Sequence, residues 1–132
     1  MDTSILLAEL TSRLPGHEIA VPGADESVAS FRSAHPDIGD LRIVDDGDEY
    51  TVYIGDITHC HFGVNDELAS IQAAQQQAAV DVVNYVEALL NDQIEFYGGG
   101  TYGGSRLRTD TSRSWLSRML LGRKTYVWSG PL

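Results

Sequence analysis

Leu68, Ile71, Ala78, Val82, Val86 and Leu89 recur at spacings of three, four and seven, the period of one face of an α-helix. Ala79, Val83 and Leu90 widen that stripe, and Glu67, Gln72, Gln76, Asp81, Asn84 and Glu87 lie largely off it. The pattern predicts a long helix over about 66–90, about 37 Å in length, with Asn65 or Asp66 as its cap. Ile5, Leu6, Leu7, Leu10 and Leu14 predict a second helix over 3–14, capped by Asp2 or Thr3 and stopped by Pro15-Gly16. A weaker pattern, with Val28 and Phe31 inward, predicts a third over 25–34.

Elsewhere the period drops to two. Leu41–Val44 and Tyr50–Ile54 flank the turn-forming Asp45-Asp46-Gly47-Asp48 and read as a β-hairpin. Gly55 is a bulge candidate, after which Ile57–Phe62 forms a further strand. Short strands are expected near Ile19–Val21, over 93–97, over 106–108 and over 125–128, with a short helix in the segment TDTSRSWLSRMLLG, ended by Gly122. Helices and hairpins are segregated along the chain. The expected fold is therefore α+β in one domain spanning 1–132: a mostly antiparallel sheet with the long helix and shorter terminal helices packed on it.

Charge changes this picture more than length does. The chain has 132 residues and a net charge of −10, divided unevenly. Residues 1–105 carry 3 bases against 18 acids, whereas residues 106–132 carry 6 bases against Asp110 alone. An acidic body repels nucleic acid and anionic membrane and speeds encounter with basic partners. The basic segment 106–132 is expected to belong to the same fold, paired with acidic groups of the body. A single cysteine, Cys60, leaves no intrachain disulfide. The N-terminal stretch lacks a basic leader pattern, and no apolar run is long enough for a membrane span. A cytoplasmic protein is expected.

Candidate chemistry centres on DITHCHFG, residues 56–63. On a strand His59 and His61 share one face, while Cys60 and Phe62 share the other. The two histidines could share a zinc or nickel ion, but a complete site needs a further ligand, from His17, His35 or Glu49. Parity separates Cys60 from both histidines, which argues against a Cys–His nucleophile pair. Gly98, Gly100 and Gly103 fit G-x-G-x-x-G, yet no helix is expected to begin at that loop, so a hairpin tip is the preferred reading. SRSWLSRMLLGRK, residues 112–124, mixes cations with apolar residues and is read as a docking helix. Asp45, Asp46, Asp48 and Glu49 fail the spacing of a calcium loop and read as a solvated hairpin tip.

ITHCHF, the acid-capped helix, EFYGGGTYGG and WLSRMLLGRKTYVWSGPL together resemble small acidic bacterial domains, some of them immunity proteins of toxin systems. The resemblance covers about 41–132, implies a binding role and supplies no active-site residues. With the acidic body it supports a non-enzymatic binding protein for a basic protein partner, and no cofactor is expected. Asp45, Asp46, Asp48 and Glu49 are the expected contacts, with Tyr97 and Tyr102 as rigid anchors. The alternatives are a metal-binding module or metal-dependent enzyme using His59 and His61, and a homodimer with Trp115 and Trp128 at its interface.

Overall fold

A computed structural model describes residues 1–64, 70–98, 103–108 and 124–132. Among these the fold is α+β, with two α-helices and two antiparallel sheets. The first sheet contains β1 (Ile19–Ala20), β2 (Ala29–Phe31), β3 (Leu41–Asp45), β4 (Glu49–Ile54) and β5 (Thr58–Gly63), side by side in chain order. The second contains β6 (Ile94–Tyr97), β7 (Gly104–Leu107), β8 (Thr125–Val127) and β9 (Gly130–Pro131), in the order β7-β6-β8-β9. The single sheet expected from the sequence is thus two. The division depends on Phe96 and Tyr97 of β6 pairing with Tyr126 and Thr125 of β8, a long-range match that local periodicity does not encode.

Helix α1 (Thr3–Arg13) forms where its apolar pattern predicts, with the Asp2 carboxylate accepting from Ser4 N at 3.0 Å. Helix α2 (Ile71–Leu90) begins later than the predicted 66. Ser70 has extended backbone, and its hydroxyl accepts from Ala73 N at 3.0 Å, so the cap falls there. Residues 65–69, with the expected caps Asn65 and Asp66, lie outside the described set, as does the helix expected in the segment ending at Gly122. Ile71 is exposed, and the buried face of α2 is Ala74, Ala78, Ala79, Val82, Val83, Val86 and Leu89. These small and β-branched residues let α2 lie close on the first sheet, whose inner face presents Ala29, Phe31, Leu41, Ile43, Tyr50, Val52 and Ile54. Helix α1 runs beside α2 in the same direction, tied by Asp2 N to Gln75 Oε1 at 3.3 Å and by Arg13 to Glu87 at 3.3 Å.

The helix expected over 25–34 is not formed. Ala24–Glu26 make one 3₁₀ turn, in which Asp25 and Glu26 adopt left-handed backbone (φ 54° and 64°), and the chain then extends as β2. The spacing of Val28 and Phe31 suits one helical face, but Ala29 and Phe31 also alternate, and β3 offers β2 a full ladder through Ala29↔Ile43 and Phe31↔Leu41. Ser30 then points away from the core, and its hydroxyl accepts from Ala24 N at 3.1 Å.

Candidate functional site

The outer face of the first sheet, opposite the helices, carries both histidines of the DITHCHFG stretch. The register sets Arg42 opposite Tyr53, Tyr53 opposite His59, and Thr51 opposite His61. The Arg42 guanidinium lies over the Tyr53 ring at 4.9 Å, His59 leans on Tyr53 at 5.4 Å, and the two imidazoles meet edge to face at 5.0 Å. His59 and His61 are therefore exposed on one face, as strand parity requires.

At the hairpin tip, the Asp46 N–H donates to Glu49 O at 2.9 Å and closes the turn, while Asp45 accepts from Gly47 N at 2.8 Å. Asp45 also lies 3.7 Å from the N-terminal ammonium. Glu49 Oε1 meets His61 Nδ1 at 2.9 Å. The Thr51 hydroxyl, fully buried, donates to Asp46 and touches His61 Nδ1 at 3.2 Å. One ligand atom each from Asp46, Glu49 and His61 lie within 4.8 Å of one another; His59 stands beside this group and not in it. Of the four acidic residues expected at the partner interface, only Asp48 has no side-chain partner among the described residues.

The other end of the same hairpin forms a second acidic feature, one that no sequence motif announces. Gly39 (φ 91°) and Gly55 (φ 51°) let two chain segments cross in contact: a Cβ at Gly55 would stand 1.7 Å from the Ile38 carbonyl oxygen. Beside this crossing lies an open cleft of about 560 Å³, lined by the exposed carboxylates of Asp25, Asp37, Asp40 and Asp56, with Arg42 and Tyr126 on its wall. Asp40 accepts from Ser33 N at 2.8 Å and Asp37 lies 3.9 Å from His35. Asp25 and Asp56 have no side-chain partner among the described residues.

Gly98 is required by packing, since a Cβ there would stand 1.7 Å from the Ile57 carbonyl oxygen, and Gly103 packs on Thr58. Gly98 and Gly103 therefore serve the junction of the two sheets, and Gly100 lies outside the described residues. Tyr97 is half-buried, its hydroxyl lying over Gly104, so it is no free-standing anchor. Tyr102 and Trp115 lie outside the described residues. Trp128 is only 6% exposed and packs in the core, which removes it from the dimer interface expected for it. Two cations of the basic segment do fold onto the acidic body: Arg106 and Arg108 each approach the buried Glu95 carboxylate at 3.8 Å.

Cys60 and Phe62 turn inward, and what they meet was not visible in the sequence. The Cys60 Sγ lies 3.3 Å from the Tyr85 hydroxyl and 3.4 Å from Ser105 Oγ, and Tyr85 donates to Ser105 at 2.7 Å. Phe62 packs on the Tyr85 ring at 5.3 Å. Burial, followed by the bond with Cys60, pushes the Tyr85 hydroxyl above the usual tyrosine range, so it is held as a neutral donor and not as a base.

No family model matches this chain, and neither a curated protein nor a solved structure does. Among the described residues no helix is long and apolar enough to cross a membrane.

Proposed function

We propose that this chain is a non-enzymatic binding protein that takes a basic protein partner, with the cleft between Asp25, Asp37, Asp40 and Asp56 as the main contact. The observation that supports it is the convergence of four exposed carboxylates from three segments of the chain on one concave surface. A concave site with excess negative charge, here four carboxylates against Arg42, focuses field toward a cationic side chain and raises the association rate by about tenfold or more at low salt. The sharpest form of the reading is a cytoplasmic, immunity-type protein, one that blocks the nucleic-acid groove of a basic toxin by presenting carboxylates where phosphates would lie. The hairpin tip plays a lesser part in it, because three of its four acids are already engaged.

The test uses an oligo-arginine peptide as probe and association rates at low and physiological salt. Asp25→Lys with Asp56→Lys is expected to slow association by about tenfold or more at low salt, with the difference shrinking as salt screens it. Asp48→Lys at the tip is expected to have a much smaller effect. Equal effects at the two ends, or none at the cleft, would sink the assignment. The immunity form is tested by co-expression with basic nuclease toxins, where growth rescue must disappear in the same cleft variant.

A further inference from the structure

We propose that Asp46, Glu49 and His61 are the protein ligands of a divalent first-row transition-metal site at the tip of the β3–β4 hairpin. The site is separate from the acidic cleft and does not depend on it. Its three donors come from the turn, the first residue of β4 and the middle of β5, and the backbone brings them together. The Asp46–Glu49 turn bond orders the first two, and the β4–β5 ladder sets His61 opposite Thr51, two residues from Glu49.

The donors are close enough to meet on one ion after small side-chain adjustment. Ligands at about 2.0–2.2 Å from a metal stand roughly 3–4 Å from one another. His61 Nδ1 and Glu49 Oε1 are 2.9 Å apart, and all three donors lie within 4.8 Å. One imidazole and two carboxylates form a mixed nitrogen and oxygen set, which favours zinc or nickel over magnesium. That imidazole distinguishes the group from a plain acidic patch.

The surroundings restrain the donors as an outer shell does. The buried Thr51 hydroxyl holds Asp46, and His59, backed by Tyr53, presses the edge of the His61 ring. The Asp46 carboxylate and the imidazole are thus each restrained by a residue that need not itself coordinate. Three protein ligands leave positions for water or for a donor from a partner. The sequence suggested His59 with His61 and a further ligand from His17, His35 or Glu49; the structure keeps His61 with Glu49 and sets Asp46 where His59 was expected.

The experiment is calorimetric titration of the full, untagged, chelator-treated chain with zinc chloride, and with magnesium chloride for comparison. One zinc per chain is expected, bound about 100-fold or more tightly than magnesium. Outer-shell losses typically cost about 10–100-fold in metal affinity. Glu49→Gln and His61→Ala should therefore each exceed that range, Thr51→Val should fall within it, and His59→Ala should change affinity by less than about threefold. Metal-free melting of each variant separates a lost ligand from a lost fold, and Glu49→Gln, which preserves side-chain size, is the decisive variant. Sub-stoichiometric zinc, equal affinity for magnesium, or a His59→Ala loss as large as that of His61→Ala would overturn the assignment.

Discussion

The two ends of the β3–β4 hairpin are both acidic and differ in nearly everything else. At the tip, Asp45, Asp46 and Glu49 are engaged with the Gly47 backbone, the Thr51 hydroxyl and His61. At the open end, two glycines in left-handed backbone pin the crossing chains, and Asp25 and Asp56 face solvent across a cleft. Sequence weighted the tip, where four acids stand within five residues; geometry shifts the available charge to the other end. The lesson concerns supply. A run of carboxylates in a tight turn tends to satisfy its own donors, whereas Asp25 and Asp56, brought together from distant segments, remain open to a partner.

The sharpest way to break this contrast is at its glycines. Gly55→Ala places a Cβ against the Ile38 carbonyl in backbone that already disfavours a side chain, and is expected to cost about 3 kcal/mol or more in urea denaturation. Gly47→Ala at the tip meets open space and carries only the conformational cost, about 1 kcal/mol. Equal losses would mean that the crossing is not the rigid end.

A pH titration probes the tip from beneath. Burial, then the Asp45 and Asp2 carboxylates, push the Tyr50 hydroxyl up to about 12, and Tyr85 moves in the same direction. An unfolded tyrosine ionises near 10. Between about pH 10 and 12 the unfolded chain therefore loses a proton that the folded chain keeps, and stability falls as pH rises through that window. Below it the contribution is fully present. Absorbance at alkaline pH should show late-titrating tyrosines, and Tyr50→Phe should flatten the part of the stability slope due to Tyr50.

The smallest effect is expected from Asp25→Asn with Asp56→Asn. Neither carboxylate has a side-chain partner among the described residues, so stability should stay within about 0.5 kcal/mol of the parent. A larger destabilisation would show that these acids serve the fold and not a partner.

Much of this was legible in advance. Strand parity placed His59 and His61 together and turned Cys60 and Phe62 inward, because alternation is a local property of extended chain. The hairpin and both helices followed from period and turn chemistry. What could not be read was register across distance. Nothing local brings Asp25 and Asp56 to the segment of Asp37 and Asp40, or assigns β6 and β8 to a sheet of their own. The segment 25–34 failed for a related reason: its few apolar residues fit two periods, and the unpaired edge of β3 decided between them.

One consequence follows from the small polar junction beneath DITHCHFG. Cys60 on β5, Tyr85 on α2 and Ser105 on β7 meet where the first sheet, the long helix and the second sheet adjoin. Because Cys60 is the chain's sole thiol and is partly buried, its rate of reaction with a bulky disulfide reagent reads how accessible this junction is. The molecule thus carries, at its own seam, a chemical reporter of the packing there.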